Sequence, residues 1–181
     1  MSNASNPRQS LELDAESIEF ISALPPDQKS KTLHVVGANI ESERLSKGLR
    51  GSIDFWNQYG VELNFMNCDM TANVGLMWTL DDLEKLILES FEFDASHKSA
   101  NHFLFFLNKF KDPRILGLSP VCPARNRPHI AIFERGFFPS PILLQVLNHE
   151  IGHLLGLVHC RNPNCLMSSF RSTNLTPVHE T

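Results

Sequence analysis

The chain has 181 residues, with 42% apolar and 20% charged side chains, enough for one domain with its own core. A net charge of -4 gives no electrostatic reason to expect nucleic acid or an anionic membrane as partner. The longest apolar runs, such as Phe103–Leu107, are too short to cross a bilayer, and four cysteines are too few for a disulfide-built scaffold.

Residues 1–20 are polar and acidic without an apolar h-region, so no signal peptide is expected. A cytoplasmic, monomeric protein is the expectation, with export lacking a cleaved signal left open. Residues 1–30 read as a lead-in. A helical pattern from Leu11 to Leu24 is stopped there by Pro25-Pro26. Residues 31–181 read as the domain proper.

Thr32–Val36 is rich in β-branched and apolar residues and predicts a first strand. From Ser42 to Tyr59, Leu45, Leu49, Ile53 and Trp56 recur at helical spacing, and Gly60 suits the turn that ends a helix. Val61–Phe65 alternates and predicts a strand with one wet face. Leu80–Phe91 predicts an amphipathic helix carrying Leu83, Leu86 and Ile87 on one side, its start supported by Asp81 and Asp82. His102–Phe110 is a nearly unbroken apolar run, as in a central strand buried on both faces. Pro113–Pro128 reads as loop, and Ile130–Phe133 as a strand near the sheet edge. The alternation predicts an α/β fold with a mixed, mostly parallel sheet and helices on its faces.

Ser140-Pro141 is a helix start, as N-cap and N1, and Ile142–Leu155 can run on as one helix. On it His149 and His153 stand four apart, so both imidazoles leave one face and can reach one ion. Glu150 lies beside the first of them, where a carboxylate can take a proton from a water polarised by the metal. Gly156 permits a left-handed turn that brings His159 back as a third ligand. Three protein ligands leave one position open, the mark of a catalytic zinc site. Elsewhere His34, His97, His102 and His129 are scattered and read as structural or exposed, and Trp56, Phe103, Phe105 and Phe106 read as core.

His149–His159 followed by Cys160, Cys165 and Met167 resembles the signature of the archaemetzincins, a branch of the metzincin clan. The match spans 19 residues, from His149 to Met167. The resemblance implies a zincin-like metzincin fold with an antiparallel edge strand and an active-site helix. It further implies one catalytic zinc on His149, His153 and His159, Glu150 as general base, and Met167 as the residue of the Met-turn beneath the metal. The expected activity is peptide-bond hydrolysis, of endopeptidase or aminopeptidase type, by residues 31–181 acting on a peptide or protein. The alternative is an inactive relative that binds zinc and peptides without cutting them, against which the intact Glu150 argues. Metzincins bind extended peptides along an edge strand, and Ile130–Phe133 is the candidate for it.

One departure concerns the cysteines. Archaemetzincins complete a second, structural zinc site with a later CxxC pair. Here only 14 residues follow Met167, none of them Cys. Cys160 and Cys165 are left to recruit His179, Cys68 or Cys122, to pair as a disulfide, or to remain thiols. Thiols or a disulfide are expected over a second zinc, because two ligands do not fill a tetrahedral site. Cys68 and Cys122 read as ordinary buried cysteines. The single tyrosine, Tyr59, precedes the Met-turn by far, leaving Arg171, His179 or a backbone N–H as possible aids to an oxyanion.

Overall fold

The computed structural model describes residues 12–68, 70, 77–97, 102–119, 121–122, 127–133 and 140–168. Helix α1 spans Ala15–Ala23, and Asp14 caps it by accepting the Ser17 N–H at 2.9 Å. The two prolines stop it as expected, and Pro26 then opens a single turn, α2 (Pro26–Lys29), leading into β1 (Ser30–Val36). Helix α3 (Glu43–Asn57) and β2 (Glu62–Asn67) follow. Next come β3 (Met77–Trp78), α4 (Leu80–His97), β4 (His102–Leu107), β5 (Lys109–Phe110) and β6 (Gly117–Leu118). The last elements are β7 (Val121–Cys122), β8 (Arg127–Pro128), β9 (Ile130–Phe133) and α5 (Ser140–Leu154).

Five strands form the main sheet in the order β2-β1-β4-β9-β6. The first four run parallel, and β6 pairs antiparallel with β9, placing Gly117 opposite Ile132 and Leu118 opposite Ala131. The expected α/β fold with a mostly parallel sheet and an antiparallel edge strand is therefore present. The identity of that edge differs from the expectation. Ile130–Phe133 is an interior strand with all four residues buried, and Gly117–Leu118 is the edge. A two-residue strand inside a proline-rich stretch is too short to show a period of two, so it left no mark in the sequence.

Strand β4 is buried on both faces, as its apolar run requires. Leu104 and Phe106 join Leu33, Val35, Ile130 and Ile132 in a core shared with α1, α3 and α5. Phe103, Phe105 and Leu107 join Val36, Ala131 and Phe133 in a second core under Leu83, Leu86 and Ile87 of α4. The sheet is thus the middle of three layers. The run was expected to continue to Phe110, but Leu107 ends β4 and Lys109–Phe110 pairs instead with β3. At the start of α4, Thr79 and Asp82 exchange hydrogen bonds: each accepts the other's backbone N–H, at 3.3 and 2.9 Å.

The lead-in belongs to the first core. Leu13 and Ile21 are buried in it, and Glu12 bridges to Cys165 in the manner of a parallel strand. Among the described residues no helix is long and apolar enough to cross a membrane.

Candidate metal centre

Helix α5 carries the first two histidines. It begins at Ser140, one residue earlier than an N-cap assignment would have it, and its apolar stripe of Leu143, Leu147, Ile151 and Leu154 faces the first core. The helix ends in a Schellman turn. Gly156 has φ +97°, its N–H donates to the His153 carbonyl at 2.9 Å, and the Leu157 N–H donates to the Gly152 carbonyl at 2.9 Å. A residue with a Cβ is strained at that φ, which is why glycine stands there. The turn reverses the chain and carries His159 back over the helix.

The three Nε2 atoms of His149, His153 and His159 meet, at 3.1 Å for two of the pairs and 3.2 Å for the His149–His159 pair. His149 donates Nδ1–H to the Leu166 carbonyl at 2.9 Å, and His153 donates Nδ1–H to the Leu157 carbonyl at 2.9 Å. A carbonyl only accepts, so both rings carry their proton on Nδ1 and turn a lone pair inward from Nε2. These two lone pairs face each other with no hydrogen between them, and His159 has at most one N–H to offer both. A cation resolves that arrangement. Tetrahedral zinc held at roughly 2.0–2.1 Å has ligand atoms roughly 3.3–3.4 Å apart, close to the spacing observed. The three histidines can therefore hold a metal ion, with His149 buried and the others half-buried. Burial holds His153 below its ordinary pKa; the positive character of His159 adds to that shift, while the Leu157 carbonyl opposes it.

Met167 is fully buried, and its Sδ lies where a Cβ on Gly152 would fall. Gly152, the residue before the second histidine, is thus what lets the 160–168 turn close on the helix. That turn is tied to itself by Cys160 N–H to the Met167 carbonyl at 3.0 Å. The Leu166 peptide links two distant parts, for its N–H donates to the Glu12 carbonyl at 2.8 Å while its own carbonyl receives His149.

Glu150 leaves α5 on another side, toward β6. It is only 1% exposed, and its Oε2 accepts the Ser119 hydroxyl at 2.6 Å. Its Oε1 has no hydrogen-bond partner among the described residues. Burial pushes its pKa up to about 7, the Ser119 hydrogen bond pulling slightly the other way. Nothing in the sequence pointed to Ser119, which lies 31 positions from its partner outside any motif.

The two cysteines of the turn are not joined in a disulfide. Their neighbour is Asp14: one ligand atom from each of Asp14, Cys160 and Cys165 lies within 4.8 Å of the others. Burial pushes the Cys160 thiol up to about 12, with Cys165 adding to the shift, while the Ser17 hydrogen bond holds Asp14 below the usual carboxylate range. Of the substitutes named from the sequence, Cys68 packs instead against the second core. His179 and Arg171 lie outside the described residues, as does the Cys122 side chain. His34 sits in β1 with its ring 5.9 Å from that of Phe103, and His129 is buried, accepting the Phe103 N–H at 3.1 Å.

The described residues thus form a three-layer α/β domain in which an HExxH helix, a glycine turn and a returning third histidine build one His-lined centre. Residues 134–177 match Peptidase family M54. Among solved structures, the crystal structure of metalloproteinase-II from Bacteroides fragilis is similar at a TM-score of 0.54 and 15% identity, over 91% of this chain. The chain spans 57% of that protein's length, and at this identity the likeness is one of fold. No curated protein matches the chain significantly.

Proposed function

We propose that the chain is an archaemetzincin-type zinc peptidase, with one zinc on His149, His153 and His159 and with Glu150 as general base. The observation that carries this is the convergence of three Nε2 atoms, two of them deprotonated because their Nδ1–H groups are committed to carbonyls. The donor set fits zinc: three imidazoles and an open side make a catalytic site, not a closed structural one. Bound zinc supplies a Lewis acid that lowers the pKa of a water and polarises a scissile carbonyl.

The chain's own groups do the rest. Glu150, with a pKa near neutrality, takes a proton from the attacking water and returns it to the leaving amine. The Leu166 and Leu157 carbonyls hold the first two rings in the tautomer that ligates. The outer side of β6, the last strand of the sheet, is where an extended peptide would lie, in place of Ile130–Phe133.

The test is digestion of a peptide library by zinc-loaded wild type, Glu150→Gln and His159→Ala, with zinc content measured in each. Wild type is expected to cleave, Glu150→Gln to keep its zinc and lose at least about a thousandfold in rate, and His159→Ala to lose the metal. Peptide binding by wild type without cleavage would replace this reading with the inactive peptide-binding module. A wild type that takes up no zinc would remove both.

A further inference from the structure

Among the described residues, the Glu150 carboxylate takes its one hydrogen bond from Ser119, directly after the edge strand. Its Oε2 takes the Ser119 hydroxyl at 2.6 Å, and that same hydroxyl lies 3.2 Å from the Glu150 backbone carbonyl. The hydroxyl has one hydrogen to give, and the shorter distance assigns it to the carboxylate, with the carbonyl as a secondary acceptor. Its Oε1 rests over Gly117, where an added Cβ would stand 2.8 Å from Oε1 and 3.0 Å from Cγ. Gly117 and Ser119 are the first residue of β6 and the residue immediately after it. They bracket the carboxylate from one short piece of chain, while the helix supplies it from the other side.

We infer that Ser119 is a positioning residue, whose hydroxyl holds the Glu150 carboxylate in one orientation against β6. This inference rests on the proposed hydrolase reading and names the support of its base. A glutamate has three rotatable bonds, and a buried carboxylate whose one oxygen lacks a partner has little else to fix it. When the carboxyl is ionised, as it must be to accept a proton, the short O–H to O contact is charge-assisted and stronger than a neutral hydrogen bond, and so suited to that task. Because Ser119 follows the edge strand directly, a peptide laid along β6 meets the base through the same segment that orients it. The orientation is set before substrate arrives, which removes a reorganisation from the chemical step.

The experiment compares zinc-loaded wild type with Ser119→Ala and Ser119→Thr, and reads crystal structures, zinc content and peptide hydrolysis. In Ser119→Ala the Glu150 carboxylate is expected to leave its place against Gly117, with zinc content unchanged. Its kcat should fall by about tenfold or more while KM stays within about twofold. Ser119→Thr, which keeps the hydroxyl, should restore both the carboxylate position and kcat. Gly117→Ala, which leaves Ser119 intact but fills the space under Oε1, should displace the carboxylate in a second, independent way. An unmoved Glu150 in Ser119→Ala, or equal losses in the Ala and Thr variants, would overturn the inference. A wild type that holds zinc but cleaves nothing would defeat the hydrolase reading instead, and the carboxylate positions in the variant structures would still decide the role of Ser119.

Discussion

Glu150 has a consequence that shows without any substrate. Its pKa stands at about 7 in the folded chain against an ordinary 4.5. Between those values the folded state keeps a proton that the unfolded state has released. Stability from this group therefore falls as pH rises through that window and is level above it, by on the order of 3 kcal/mol in all. Denaturant unfolding of the metal-free protein, compared with Glu150→Gln from about pH 4.5 to 7.5, should show the wild type losing ground steadily. Parallel curves would mean that the carboxylate is solvated. The comparison belongs to the metal-free protein, since a nearby cation would pull the carboxyl back down. At this scale the sequence was only half informative. The spacing of His149, His153 and His159 follows from helical geometry and one glycine turn, so it could be read from a single line of text. Ser119 and Asp14 could not, because their partners are brought to them by tertiary packing.

Among the elements, α5 and the 160–168 turn depend on each other at Gly152. A methyl group there would occupy the space of the Met167 sulfur, inside a region with no slack. Gly152→Ala is expected to cost about 1–3 kcal/mol by overpacking, despite the better helix propensity of alanine. The measurement is a pair of unfolding curves, and a stabilised variant would show that the turn can retreat freely. The strands were legible in proportion to their length. His102–Leu107 announced a doubly buried strand through six apolar or aromatic positions, and its burial follows. Gly117–Leu118 announced nothing, so the edge of the sheet was assigned to Ile130–Phe133, one strand too far in. The hydrogen-bonding partner of a strand is a long-range fact, and only its faces are written locally.

At the scale of the whole molecule, the lead-in is part of the metal centre's support. Ile21 of α1 is fully buried in the same core as Met167 and Leu166, and Glu12 accepts the N–H of Leu166, the residue whose carbonyl holds His149. Ile21→Ala should therefore lower stability by about 2–5 kcal/mol and also hasten zinc loss to a chelator. Loss of stability with unaltered zinc release would confine α1 to packing. Sequence periodicity showed that a helix exists here, but its amphipathic stripe does not say which surface receives it. The order of layers was legible from the alternation of strand and helix; the docking of this first helix onto the last turn was not.

Leu166, engaged through its N–H on one side and its carbonyl on the other, joins segments far apart in the chain. Glu12 leaves the ribosome more than a hundred and fifty residues before Leu166, and the residue that holds His149 gains its own support only when the two meet. A chain that has formed only its histidine helix lacks that support, so on the proposed reading firm retention of an ion would require both distant segments to be in place.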